Sequence, residues 1–461
     1  MTEKVLNYFQ ALTQIPRESG NEQGVARFLQ DFALKNNLFY HVDEFNNVLI
    51  KKKTCDKKPL IIASHTDMVC VSEKDFKFNF KTQHIQTFTE MGFIKAKGTS
   101  LGADNGIGVA MAVALLTEDF DMNIEAVFTS EEETTMNGTL NFNTLLLEGK
   151  HMLSLDGSEE SCIDTSSASS TIYEIKFDNM EKQQIKDNVF CLSVSGFKGG
   201  HSGVDIGKNH GNPINVALAF FKELNYNIKL VEWSLETKSN EIPTFTQVVF
   251  ETQKTKDEIE KVLQTVFNKE GKIFDVPQLK MQVQRVNLPK ESFCLTNEFS
   301  ECFLNLLDSL KFGVFERKDD NVISSSNVYE IKAEFGIIRL HSRANGQKCF
   351  SNFLKHLENL KNKFNFMLSQ ISHLPGFKNN QNSSLLKLLQ KTHYNLFNTH
   401  AKLQNIHAGV ECAIFSQKIK NLDVLVIGAT INNMHSTKEE VKISSIHKTY
   451  AWLCEIVKNF K

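Results

Sequence analysis

The chain has 461 residues, 41% of them hydrophobic and 23% charged, with a formal net charge of −2 at pH 7. That length exceeds what one hydrophobic core usually organises, so two domains are expected. The near-balanced charge gives no support for a polyanion-binding surface, and no nucleic-acid partner is expected. Residues 1–30 mix charges with apolar positions and hold no continuous apolar run, so neither a secretory signal nor a membrane span is expected there. Nine cysteines without a CxxC pair fit a reducing compartment, and the expected location is cytoplasmic.

In chain order, residues 5–12 and 22–34 carry apolar side chains at helical spacing, joined through the loop Pro16-Arg17-Glu18-Ser19-Gly20-Asn21. Residues 47–51 read as a strand and 60–64 as a buried strand that runs at once into polar residues. The small apolar run 106–116 predicts a buried helix. Residues 124–129 predict a strand ending in three glutamates, and 153–155 lead into Asp156. Strands alternating with helices imply an α/β class, with a mixed, largely parallel sheet flanked by helices. From about 188 to 366 the pattern changes. Strands at 189–195, 245–252 and 279–286 are interleaved with helices at 213–224, 257–267, 299–310 and 347–368, as in a separate α+β domain, which admits a duplicated half. After Leu374-Pro375-Gly376 the first pattern returns, and a strand at 423–428 is followed by polar residues 432–435. The expected organisation is one domain built from 1–187 and 374–461, with 188–373 inserted as a lid.

Polar residues recur just past the strand ends, where open α/β sheets bind ligands. His65 and Asp67 close the strand at 60–64. A neutral imidazole is a good zinc ligand, and a carboxylate two residues on can fix its tautomer. Alone, such a pair more often marks a solvated strand end. Asp104 lies in a glycine-rich segment, residues 98–108, just before the buried helix; alone it reads as an N-cap aspartate. The lysine of a phosphate loop is absent there. Glu131, Glu132 and Glu133 repel one another unless cations hold them; one can ligate a metal while its neighbour acts as general base. A helix N-terminus enriched in acids is the bland alternative. Asp156 and His435 follow two further strands. Together, His65, Asp104, Glu133, Asp156 and His435 supply two imidazoles and three carboxylates, a set suited to two zinc ions sharing one carboxylate. Cysteine is absent from the set, which argues against a closed structural zinc site.

Taken in order, these motifs resemble the zinc-dependent aminoacyl-histidine (Xaa-His) dipeptidases of the aminoacylase and carboxypeptidase-like metallopeptidases. The match runs through IPRESGNE at 15–22, DEFNNV at 43–48, SHTDMVC at 64–70, GTSLGADNGIGVA at 98–110, SEEETTMNG at 130–138 and LDGSEE at 155–160. It continues through SGFKGGHSGVDI at 195–206, LPGFK at 374–378, IHAGVEC at 406–412 and IGATINNMHSTKEEV at 427–441. The resemblance implies a zinc-exopeptidase-like catalytic domain with an inserted lid, hydrolysing dipeptides. It implies one zinc on His65, Asp104 and Asp156, and a second on Asp104, Glu133 and His435, with manganese or cobalt as alternatives. Asp67 would orient His65, Glu132 would be the general base, and the Asp104–Asn105 peptide would be cis. His201 would stabilise the oxyanion, from its own chain or from a neighbouring subunit in a homodimer; a loop-packing histidine is the alternative. Arg343 is expected to clamp the substrate's C-terminal carboxylate, although the family's Arg-Ser-Ser is Arg343-Ala344-Asn345 here. His407 and Glu411 would face substrate and recognise its free amine, a buried structural carboxylate being the other reading of Glu411. Thr135 in place of a glycine, and the serine-rich run 166–170 in place of a glycine-rich one, leave substrate preference open. A tripeptidase or an N-acyl amino acid amidohydrolase is the nearest alternative, and an inactive metal-binding protein the alternative of another class.

Overall fold

In the computed structural model of the chain, residues 2–273, 278–289, 291–318, 321–378 and 382–461 are described. Two compact units divide it: Met1–Ser167, Phe377–Ile406 and Val410–Lys461 form the first, Ala168–Gly376 and His407–Gly409 the second.

The first unit is built on an eight-stranded mixed sheet whose order is Phe39–Val42, Val48–Lys52, Ile124–Thr129, Leu60–His65, His151–Gly157, Asp423–Gly428, Cys162–Ser167 and Lys402–Ile406. The central four, from Ile124–Thr129 to Asp423–Gly428, run parallel. Both faces of that centre are covered, as parallel strands require. Leu60 and Ile62 face one hydrophobic cluster while Ile61 and Ala63 face another, so the period-two alternation of a strand is satisfied by apolar residues on both sides. The helix Ala103–Leu116 belongs to the first cluster and is buried along nearly its whole length. That explains its uninterrupted small apolar sequence. A four-stranded sheet of Thr87–Glu90, Phe93–Ala96, Glu440–Lys442 and Ile431–Asn432 anchors the segment after the last parallel strand.

The second unit is a nine-stranded antiparallel sheet. The helices Pro213–Glu223, Lys256–Ile273, Asn297–Ser309 and Gln347–Phe364 contribute residues to its single core, which includes Phe221, Trp233, Phe250, Phe303 and Leu357. Two expectations shift here. The strand Ser169–Lys176 pairs with both Ile337–Ala344 and Met367–Leu374. Residues 168–187 therefore fall in the second unit rather than the first. The helix expected over 347–368 stops at Phe364, because Asn365 turns left-handed (φ 53°) and the chain continues as the edge strand Met367–Leu374. Among the described residues no helix is long and apolar enough to cross a membrane. All nine cysteines are free thiols.

Candidate metal centre

Parallel register brings the ends of neighbouring strands together: Ser64 and His65 lie opposite Phe128 and Thr129. The chain just beyond each end therefore delivers its polar residue to one place. His65 leaves the first strand, Glu132 and Glu133 the next, and Asp156 lies near the end of His151–Gly157. His435, itself left-handed (φ 61°), sits in the loop between the short paired strands Ile431–Asn432 and Glu440–Lys442. Asp104 enters from the start of its buried helix, where the Asp104–Asn105 peptide is cis and neither residue has helical dihedrals.

Asp104 is the hub. Its Oδ1 lies 3.2 Å from His65 Nε2, and its Oδ2 lies 3.2 Å from His435 Nε2. His65 Nε2 is also 3.4 Å from Asp156 Oδ1, and His435 Nε2 is 2.9 Å from Glu133 Oε1. The potential ligand atoms of His65, Asp104 and Asp156 all lie within 4.8 Å of one another, as do those of Asp104, Glu133 and His435. The same holds for His65, Glu132 and Glu133. Five buried or half-buried side chains thus form two overlapping groups able to hold metal ions, joined at one carboxylate. A donor set of imidazole nitrogen and carboxylate oxygen without sulfur suits borderline or hard divalent cations.

The charges show the same demand for cations. Burial pushes His65 down, but Asp104, Asp156 and Asp67 outweigh it and hold the imidazole well above its ordinary value. Burial likewise opposes His435, yet Asp104 and Glu133 raise it to about 11. Burial and the neighbouring Asp156, Glu133 and Glu411 carboxylates push Glu132 well above the usual carboxylate range. Burial also raises Glu133 and Asp156, with Asp104 adding to both. Divalent cations would relieve this crowding of carboxylates and compete with protons for it.

Supporting contacts are dense. Asp67 Oδ1 lies 3.3 Å from His65 Nδ1 and accepts the Glu132 amide at 3.1 Å, while its Oδ2 accepts the Glu133 amide at 3.1 Å and the Ser19 hydroxyl at 2.7 Å. One carboxylate thus orients a histidine and pins the backbone of two glutamates. Glu22 Oε1 takes the preceding amide, that of Glu131, at 3.1 Å. Asn105 Nδ2 donates to Asp156 Oδ1 at 2.6 Å. Glu411 is fully buried; it accepts from the hydroxyls of Thr129 and Thr139, and burial raises it to about 7.

The remaining expected residues, His201, Arg343 and His407, belong to the second unit, and within it they meet around Gly203. A Cβ added there would lie 2.7 Å from the His407 carbonyl, 3.0 Å from His201 Cε1 and 3.2 Å from Arg343 Nε. His201 Nδ1 accepts the amides of Gly203 and Val204 at 3.2 Å each, so its neutral ring carries the proton on Nε2. Arg343 is buried, its Nε has no hydrogen-bond partner, and burial lowers it to about 10. Burial and the guanidinium bring His407 to about 3, and it is held by Ser325 at 2.8 Å and Asn345 at 3.2 Å. His341 was not legible in the sequence; burial and Arg343 hold it neutral too, against Ser170 at 2.5 Å. His407 and Glu411, four residues apart, fall in different units.

Two overlapping groups that could hold metal ions lie near the carboxyl ends of parallel strands, and the chain belongs to peptidase family M20/M25/M40, whose family model matches residues 61–459. Among its relatives is the cytosol non-specific dipeptidase of Escherichia coli (strain K12), 26% identical over 477 residues covering 98% of this chain and 96% of that protein. The crystal structure of the aminoacylhistidine dipeptidase from Vibrio alginolyticus has the same fold, with a TM-score of 0.81 at 24% identity over 99% of this chain and 96% of that one. A tripeptidase from Staphylococcus aureus subsp. aureus mu50 shares it more distantly, with a TM-score of 0.61 at 16% identity over 99% and 98% of the two chains.

Proposed function

We propose that this chain is a cytoplasmic metallo-dipeptidase that uses two zinc ions, with manganese or cobalt as alternatives. The observation that carries this reading is the position of Asp104, each carboxylate oxygen facing a different imidazole, with Asp156 completing one group and Glu133 the other. When bound, the two ions would polarise the scissile carbonyl and lower the pKa of the attacking water. The relatives' names, one a non-specific dipeptidase and one an aminoacylhistidine dipeptidase, support a dipeptide substrate with Xaa-His among those accepted.

The chain's own residues divide the remaining work. Asp67 holds His65 in one orientation and keeps its Nε2 turned to the Asp104 side. Glu132 is fastened by its own amide to Asp67, so its carboxylate is presented at a fixed point beside His65 and Glu133. It takes a proton from the attacking water and returns it to the leaving amine; burial and the neighbouring carboxylates, which hold it well above the usual carboxylate range, favour that uptake. His201, with its proton on Nε2, donates to the oxyanion. Arg343, a buried guanidinium whose pKa burial lowers, receives the substrate's C-terminal carboxylate. His407 stands beside it as a neutral residue that adds no repulsive charge to that anion. Glu411 Oε1, buried without a hydrogen-bond partner, is assigned to the substrate's amine.

The test is hydrolysis of Xaa-His dipeptides by chelated protein before and after zinc is restored. β-Ala-His, Gly-Leu, a tripeptide and an N-acetyl amino acid serve as the comparison panel. Zinc-restored cleavage confined to dipeptides is the expected result. Preference for the tripeptide or the acylated amino acid would move the chain to the neighbouring activities, and no cleavage with zinc, manganese or cobalt would overturn the reading.

A further inference from the structure

Two residues outside the ligand set grip the backbone that carries Asp104. Glu439 is 3% exposed, and its carboxylate accepts four consecutive amides: Oε2 from Leu101 and Gly102 at 2.9 Å each, Oε1 from Ala103 at 2.8 Å and Asp104 at 3.2 Å. Arg17, also 3% exposed, donates Nη1 to the carbonyls of Thr66 and Asp67 at 3.0 Å each, and Nη2 to the carbonyl of Gly102. Gly102 is therefore held from both poles, its amide by a carboxylate and its carbonyl by a guanidinium. The same guanidinium ties that point to the segment between His65 and Asp67.

The local sequence is shaped to admit this arrangement. Gly102 is left-handed (φ 70°), and a Cβ there would meet Met68 Sδ at 2.6 Å as well as the Arg17 guanidinium. A Cβ on Gly106 would lie 2.6 Å from Arg17 Nη2. Two glycines of the segment 98–108 thus make room for one arginine side chain. A fully buried cation and anion are a costly way to fasten loops, since well-packed apolar residues often serve stability as well or better. What they add is directionality. Charge-assisted hydrogen bonds to seven named backbone atoms fix where the peptide after Gly102 emerges.

We infer that Arg17 and Glu439 are positioning residues for Asp104, setting its carboxylate at the separation from His65 and His435 that two metal ions require. Glu439 fixes the path of residues 101–104, and Arg17 fixes that path against the strand end that bears His65. His435 precedes Glu439 by four residues in the same loop, so the residue that holds the Asp104 backbone also locates the second imidazole. The inference rests on the reading of Asp104 as the carboxylate shared by two metals.

The experiment compares wild type, Asp104→Asn, Glu439→Gln and Arg17→Met as apo proteins titrated with zinc against a competing chelator. Thermal melting and near-UV circular dichroism are recorded for each, and kcat and KM for wild type and Glu439→Gln. If Asp104→Asn binds two zinc ions as wild type does, the metal-site reading itself falls. With that reading intact, folded Glu439→Gln should bind at least one ion about 10–100-fold more weakly and lose kcat in similar proportion, with KM nearly unchanged. Gln is isosteric but turns an amide group toward two N–H donors, so the fold is kept while the cradle is spoiled. A Glu439→Gln protein that melts lower yet binds both ions with wild-type affinity would make the residue a structural fastener and overturn the inference. Arg17→Met strands three carbonyl oxygens; if it does not fold, Glu439→Gln decides alone, and if it folds it should show the same loss of zinc affinity.

Discussion

The two units hold polar clusters of opposite character. In the first, three carboxylates and two imidazoles converge with Glu132 beside them, and the imidazoles are driven toward their charged forms. In the second, a buried guanidinium stands among histidines that are driven toward their neutral forms. The same residue type thus carries opposite charge states in the two places, because its neighbours differ in sign. The first cluster groups side chains that could hold cations, and the second buries a cation of its own.

The largest break in this contrast should come from the first cluster. Glu132→Ala is expected to lower kcat about 100–10,000-fold, the range for loss of a general base, while elemental analysis still finds two metals. Activity within about threefold of wild type would remove Glu132 from that role. A smaller effect is expected in the second cluster. Arg343→Met should raise KM about 10–100-fold, corresponding to about 1.5–3 kcal/mol for hydrogen bonds to a charged group. The loss should vanish for a dipeptide amide, which lacks the carboxylate; an equal loss with the amide would show that Arg343 does not read it.

The smallest effect concerns protons. His435, pulled down by burial but raised more strongly by Asp104 and Glu133 to about 11, is protonated in the apo protein at pH 7. Zinc must displace that proton, so affinity should rise with pH up to about 11. Calorimetry in buffers of different ionisation enthalpy should find about one or more protons released per protein; none released would contradict the assignment. In the apo protein the same raised pKa contributes stability that is complete below an unfolded value of about 6.5. That contribution is lost as pH climbs through 11.

Much of the candidate site was legible because three of the expected ligands follow a strong apolar run, while Asp104 precedes one. His65, Glu133 and Asp156 are chemically conspicuous where an alternating or buried strand ends, and the parallel register does the rest. Glu439 was not legible. In Lys438-Glu439-Glu440 it looks like a solvated charge run, and only tertiary structure shows Glu439 buried under four amides while Glu440 stays half-buried beside Lys95. Arg17 is one of only six arginines in the chain, but nothing local says that its partners are carbonyl oxygens about 50 and 85 residues away. The boundary near residue 167 was hidden for a different reason. The serine-rich run 166–170 lacks the apolar alternation of a strand at its start, although the strand Ser169–Lys176 grows out of it to join the second sheet.

The reach of Glu439 bears on how the molecule is made. Its bond to the Asp104 amide spans 335 residues, and His435 lies at nearly the same remove. A ribosome adding about 5–20 residues per second needs roughly 20–70 s to cover that stretch. Once Asp156 has been made, the nascent chain carries His65, Asp104, Glu133 and Asp156 for the rest of that interval with neither the second imidazole nor the clamp on the Asp104 backbone. A two-ion site on these residues would therefore be completed only when the segment bearing His435 and Glu439 emerges, not when the ligands that appear first do.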